Sequence, residues 1–279
     1  MSDAATPDQP KPEQPTREWL ESQIRSLGPW HHDIQLTDDL STGQVFSDGG
    51  RLERSDNDGV SLISPRQWFV QRTGKLFPDG LSGKRFLDCA CNAGAYCFFA
   101  REQDAEHVVG FDIRDHWINQ AKFIQQHRTV APTDRIDFSV QDVFELGQLG
   151  LQPFDLTFFC GIFYHLPDPI HGLKLAADLT KDILLVNTAT MDDESNPTGL
   201  TPNRRPVEKS DEIVMSGVYN IAWYPNGPEA IYEILRWLGF EEMKLARKVK
   251  KEKGRGRIEI IAAQSKGRLA NAPGELMHP

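Results

Sequence analysis

From Lys84 to Asn187 short apolar runs alternate with stretches of helical periodicity, and no other feature of the chain narrows its fold so far. Lys84 to Asp88, His107 to Asp112, Ile136 to Val140, Phe154 to Cys160 and Ile183 to Asn187 read as strands. Ala95 to Gln103, Asp115 to His127 and Ile170 to Leu179 read as helices. Such alternation implies parallel βαβ units with helices on both faces of a sheet. An amphipathic helix from Gly227 to Leu238 then precedes two closing strands, Phe240 to Val249 and Arg257 to Ala263. The expected fold class is α/β: a seven-stranded, mostly parallel sheet with an antiparallel final strand.

The flanking segments have a different character. Residues 1–15 are polar and Pro-rich and are predicted to be a disordered tail. Residues 16–80 form an N-terminal helical cap: Thr16 caps a short helix carrying Trp19, Leu20, Ile24 and Leu27, and a second helix runs from Pro65 to Leu76. The core spans 81–266. After its fifth strand, an insertion over 189–225 is polar, holds Pro197, Pro202, Pro206 and Pro225, and lacks helical periodicity for much of its length. A long aperiodic stretch inside a domain is usually functional or disordered, so this insertion and the N-terminal cap are expected to form a substrate-facing lid. Residues 267–279 are predicted to be a loose tail.

The 279 residues are 39% hydrophobic and 25% charged, as in a globular protein with one sizeable core. A formal net charge of -9 disfavours coating nucleic acid by bulk electrostatics, and no DNA partner is expected. No apolar run approaches the length of a membrane span and no signal-peptide pattern opens the chain, so a cytoplasmic protein without a membrane partner is expected. Cys89, Cys91, Cys97 and Cys160 fall in the core, at positions that diverge on a strand end and the following helix; they read as structural thiols, not metal ligands.

Four segments place polar residues at strand ends. Phe86-Leu87-Asp88-Cys89-Ala90-Cys91-Asn92-Ala93-Gly94-Ala95-Tyr96 is a strand ending in small residues and opening a helix, where the backbone can approach a ligand. Asp112 ends the next strand, where a carboxylate can accept both hydroxyls of a ribose or cap the following helix. Asp142 and Val143 end the third, where a carboxylate can accept from an adenine amino group. Phe154 to Cys160 delivers Cys160 and Gly161, then turns out through Tyr164 and His165. Open α/β sheets bind ligands at these carboxyl ends.

The stretch from about Gly83 to Thr190 resembles the class I S-adenosylmethionine-dependent methyltransferases, which have a Rossmann-like fold. Within them, Tyr164-His165, the upstream Pro29-Trp30-His31-His32 and the later Trp223-Tyr224-Pro225-Asn226 are similar to the family that includes the tRNA wobble-uridine carboxymethyltransferases. The resemblance implies S-adenosyl-L-methionine as cofactor. It implies that Asp88, Asn92 and Gly94 shape the methionine end, that Asp112 holds the ribose, and that Ile113 and Trp117 flank the adenine. It further implies that Asp142 and Val143 read the adenine edge and that Cys160 and Tyr164 line the pocket. Ala90 and Asn92 stand where the family commonly has glycine. Arg257 falls near a basic residue that, in the tRNA enzymes, contacts the extra carboxylate of carboxy-S-adenosylmethionine; a surface residue on an edge strand is the alternative.

His165 and His32, with His31 behind them, are candidate general bases, because an imidazole titrating near neutrality can take a proton from an attacking hydroxyl. The run Asp192-Asp193-Glu194 reads as a solvated loop, and no metal is expected. The expected reaction is methyl transfer to an oxygen or nitrogen of a small-molecule acceptor. Alternatives are a tRNA uridine-modifying enzyme, supported by basic residues between 247 and 257, and a non-catalytic cofactor-binding protein. The sequence leaves the oligomeric state open.

Overall fold

The computed structural model describes residues 15–45, 65–204, 218–250 and 255–278. The expected tail at 1–15 therefore lies almost wholly outside the described residues, as do much of the insertion and the tip of the Lys250–Gly256 turn.

Thr16 caps α1 (Arg17–Ser26), its Oγ1 accepting from the Trp19 N–H at 3.2 Å. Two short strands, β1 (Gln35–Thr37) and β2 (Leu40–Ser41), lead into the single turn α2 (Thr42–Val45), and α3 (Pro65–Leu76) completes the cap. The core follows as β3 (Arg85–Cys89), α4 (Ala95–Glu102), β4 (His107–Asp112), α5 (Asp115–His127), β5 (Ile136–Val140), β6 (Phe154–Cys160), α6 (Pro169–Asp178) and β7 (Thr180–Thr190). The hairpin β8 (Leu200–Arg204) and β9 (Ile221–Pro225) comes next, then α7 (Pro228–Trp237), β10 (Glu242–Lys250), β11 (Gly256–Ala263) and β12 (Glu275–Leu276).

The central sheet runs β12-β10-β11-β7-β6-β3-β4-β5. β3 through β7 pair in parallel, and β11 runs antiparallel against β7 and β10. Because successive strand residues point to opposite faces, adjacent apolar residues serve two cores. Phe86, Phe158, Leu185 and Ile261 pack with α1, α3, α4 and α5, while Leu87, Phe159, Leu184 and Ile260 pack with α6 and α7. Strand order reverses between β3 and β6, which opens a crevice at their carboxyl ends.

Two expectations need correction. Among the described residues the sheet has eight strands, not seven, and the eighth comes from the segment expected to be loose. Leu269 is fully buried, its N–H donates to Glu242 at 2.8 Å, and β12 pairs with β10 through Lys244↔Leu276 and Leu245↔Glu275. Apolar residues are too sparse in this segment to give a periodicity, yet Leu269 and Ala272 are buried. The insertion likewise contains a hairpin, β8–β9, where the prolines suggested aperiodic chain. Among the described residues, both strands lie outside the central sheet and pair only with each other, leaving an edge where proline removes no ladder bond.

The cap is tied to α5 by backbone acceptors. Gln120 Nε2 donates to Leu27 O at 2.6 Å and Pro29 O at 2.8 Å, and Arg128 Nε donates to Gln35 O at 2.8 Å. These bonds fix the loop that carries His31 and His32 against the start of α4.

Candidate cofactor and acceptor site

The turn after β3 is a run of left-handed residues: Ala90 (φ 59°), Asn92 (φ 54°) and Gly94 (φ 77°). Glycine is required at 94, since a Cβ there would stand 2.5 Å from the Phe138 ring. Asn92 tolerates the conformation because its Oδ1 accepts from the Ala93 N–H at 2.7 Å; Ala90 has no such bond to offer.

The turn presents its backbone to Asp112. Asn92 N–H donates to Asp112 Oδ2 at 3.1 Å, and Arg114 N–H donates to Oδ1 at 3.1 Å. Asp112 is 7% exposed and is not a helix cap: the residue preceding α5 is Arg114, whose side chain makes no cap bond. Burial pushes the Asp112 carboxyl up to about 6, against the opposing pull of those N–H groups. Asp88 is 2% exposed and receives, among the described residues, only the Cys97 thiol at 3.9 Å. Burial, reinforced by the Asp112 charge, raises its carboxyl well above the usual range. Two buried acids with uncommitted lone pairs suit a ligand that brings its own ammonium and hydroxyl donors.

The remaining expected residues are distributed around that centre. Cys160, half-buried, directs its thiol toward Leu185 O at 3.9 Å, and burial raises its pKa well above normal, so it stays neutral. Trp117 is buried against His116, whereas Ile113 is 38% exposed. Val143 turns its side chain into the core beside Leu146, leaving only its backbone for a ligand. Asp142 Oδ1 accepts from Phe144 N–H at 3.0 Å, and its Oδ2 accepts from the Tyr219 hydroxyl.

A Cβ at Gly161 (φ 77°) would lie 3.9 Å from Arg257 Nη2 and 4.0 Å from Tyr164 Oη, so both side chains reach the backbone at the end of β6. Arg257 Nε donates to Asn187 Oδ1 at 2.6 Å, Asn187 Nδ2 donates to Glu259 at 3.4 Å, and Arg72 Nε on α3 donates to the fully buried Glu259 at 2.6 Å. Arg257 therefore sits on an interior strand, between β7 and β10, which corrects the reading of it as an edge-strand surface residue.

Tyr164 stacks on Tyr224 of β9 at 5.8 Å and 12°, and Trp223 Nε1 donates to Pro167 O at 3.0 Å. The hairpin is thus clamped to the turn that carries His165, whose ring lies 4.3 Å from that of Tyr164. His32 packs elsewhere, 4.5 Å from His31 and 5.5 Å from Tyr96 at the start of α4. Burial, with a smaller contribution from His31, holds its pKa well below normal. Its imidazole is neutral at physiological pH but weakly basic, which lowers the driving force for taking a proton.

The acids of Asp192-Asp193-Glu194 are engaged separately: Asp192 accepts from Thr190 Oγ1 at 2.9 Å, Asp193 from Ser195 N–H at 3.0 Å, and Glu194 pairs with Lys250 at 2.9 Å. Residues that sequence reasoning passed over include Tyr96, Asn187, Tyr219 and the Arg72–Glu259 pair. Tyr96 had a signal, a polar aromatic in the first turn of the helix that follows the small-residue turn; the others meet only through long-range packing.

A mostly parallel sheet with a strand-order reversal and acids at successive strand ends is the layout of class I S-adenosylmethionine-dependent methyltransferases, whose cofactor is S-adenosyl-L-methionine. The family model described as "Methyltransferase domain" matches residues 81–235, and the chain belongs to that family. It is 31% identical over 175 residues to a tRNA U34 carboxymethyltransferase from Aliarcobacter butzleri (strain RM4018), covering 59% of this chain and 50% of that protein. It is 28% identical over 166 residues to a tRNA U34 carboxymethyltransferase from Pseudomonas putida (strain GB-1), covering 59% of this chain and 48% of that protein. The chain thus spans about half the length of the relatives it matches. Among solved structures, the N-terminal domain of EvdMO1 with SAH bound superposes with a TM-score of 0.68 at 16% identity, covering 91% of this chain and 99% of that one. Among the described residues, no helix is long and apolar enough to cross a membrane.

Proposed function

We propose that the protein transfers a methyl group from S-adenosyl-L-methionine to an oxygen or nitrogen of a small-molecule acceptor. The observation that carries the donor site is the pair of buried acids, Asp88 and Asp112, beside the left-handed turn at 90–94. When bound, the donor supplies an electrophilic methyl group on a cationic sulfur. Asp112 accepts from the ribose hydroxyls, while Asp88 and the backbone around Asn92 and Gly94 receive the methionine end. Ile113 and Trp117 flank the adenine, and Cys160 and Tyr164 line the wall. The cap, through His31, His32 and Trp68 around Tyr96, and the hairpin, through Tyr224 on Tyr164, exclude water and hold the acceptor. His165 is the better-placed base, because it lies beside Tyr164 on the turn that leaves β6, whereas burial weakens His32.

A second reading, tRNA uridine modification with a carboxylated donor, is supported by Arg257. Its Nε is anchored by Asn187 while Nη2 reaches Gly161 and Tyr164, a fork suited to a carboxylate. The names of the relatives support it too, and the net charge of -9 opposes it. Incubation with methyl-labelled S-adenosylmethionine and with the carboxylated donor, against pooled metabolites and bulk tRNA, separates the readings. Label in small molecules from the plain donor supports the first; label in tRNA from the carboxylated donor replaces it with the second.

A further inference from the structure

The insertion returns to the core at Tyr219, and there it meets Asp142, the acid assigned above to the adenine edge. Tyr219 Oη donates to Asp142 Oδ2, and its ring packs edge-on against Phe144 at 6.1 Å, while Phe144 N–H occupies Oδ1 of the same carboxylate at 3.0 Å. Both oxygens of Asp142 are held from the protein side, one by the core and one by the insertion. Five residues beyond Tyr219, Tyr224 on β9 stacks on Tyr164 at the other end of the cleft. Residues 219–224 therefore connect the adenine edge to the wall beneath Gly161.

We infer that Tyr219 is a positioning residue for adenine recognition: its hydroxyl fixes the Asp142 carboxylate and, with its own lone pairs, offers a second acceptor to the exocyclic amino group. The inference rests on the reading of Asp142 as the adenine-edge acid. An amino group carries two N–H donors and a neutral phenol oxygen that donates once still has acceptor capacity, so Asp142 and Tyr219 together accept both. A purine with an oxo group in place of the amine puts an acceptor against two acceptors and is rejected, since a buried polar group then goes unpaired. The proximity of Asp142 also raises the Tyr219 phenol pKa, after the effect of burial, so the group remains protonated and able to donate.

Calorimetric titration of the full chain with S-adenosylhomocysteine and with its hypoxanthine analogue tests this in wild type, Tyr219→Phe, Asp142→Ala and the double variant. Tyr219→Phe is expected to weaken S-adenosylhomocysteine binding about 2- to 10-fold, as for one hydrogen bond between neutral groups, and to narrow discrimination against the analogue by a similar factor. In the Asp142→Ala background the Tyr219→Phe change should have a smaller effect than in wild type, because only the direct acceptor is left to lose, whereas a purely structural role would leave discrimination unchanged. Wild-type affinity and discrimination in Tyr219→Phe, with both lost in Asp142→Ala, overturns the role of Tyr219 and leaves that of Asp142 standing. Wild-type binding in Asp142→Ala removes the adenine-edge reading itself. Tighter binding in Tyr219→Phe also overturns the inference, because the hydroxyl would then compete with the adenine.

Discussion

On the proposed assignment, Asp112 couples ligand binding to pH through a single side chain. Its carboxylate is the form that accepts hydroxyl donors, and burial has moved its pKa up to about 6. Affinity for S-adenosylhomocysteine should therefore fall by up to about tenfold per pH unit below that point, and calorimetry between pH 5 and 7.5 should show an Asp112→Asn variant with a flatter profile. The same shift opposes folding. An acid with a raised folded pKa contributes stability that is present below its unfolded value of 3.8 and is lost as pH rises through about 6. By that reckoning the ionised group costs roughly 3 kcal/mol at neutrality. Asp112→Ala should consequently weaken the ligand by about 2 to 4 kcal/mol while leaving the denaturation midpoint level or raised. Ala90 gives a second residue-scale expectation. Held at φ 59° without a side-chain bond, it should yield roughly 1 kcal/mol of stability when changed to Gly, measured by urea unfolding. The acids and the turn were legible in the sequence because each sits at a predictable strand end. Tyr219 was not, because its partner is 77 positions away and the chain between carries no pattern pointing back to Asp142.

At the scale of elements, α3 and β11 are joined by a nearly dry ion pair, Arg72 with Glu259, whose side chains are 17% and 0% exposed. Removing the cation leaves a carboxylate buried without compensation, so Arg72→Ala should destabilise by roughly 3 to 5 kcal/mol. Thermal unfolding of the variant against wild type measures the loss. Neither partner was legible as such: Arg72 reads as the polar face of a helix and Glu259 as an interruption in an apolar strand, and only the docking of the cap onto the sheet joins them. The strands and helices of the core, by contrast, were readable nearly to the residue. α5 has the predicted bounds, as does α3 in the cap, while β7 runs longer than its apolar centre, extended by pairing with β11.

Across the whole molecule, the distribution of charge bears on the acceptor. With a net charge of -9, the small-molecule reading expects little change in acceptor binding between about 50 and 200 mM salt, whereas contact with several phosphates would cost orders of magnitude. Bulk tRNA titrated at both salts, with wild type and with Lys250, Lys251 and Lys253 changed to Ser, gives the comparison. Tight binding that collapses with salt and disappears in the triple variant favours the nucleic-acid reading. The C-terminal segment has a different consequence, one for solution behaviour. β12 covers the outer rim of β10, with Met277 N–H donating to Met243 O at 2.9 Å and Gly274, at φ 102°, pressed where a Cβ would lie 2.4 Å from Leu245 O. An uncovered rim of that kind is a template onto which another molecule can zip. A chain ending at Lys266 should keep its nucleotide-type crevice yet lose colloidal stability, self-associating as its concentration rises. Light scattering would register this well before any change in ligand binding, since β10 lies at the far side of the sheet from β4 and β5.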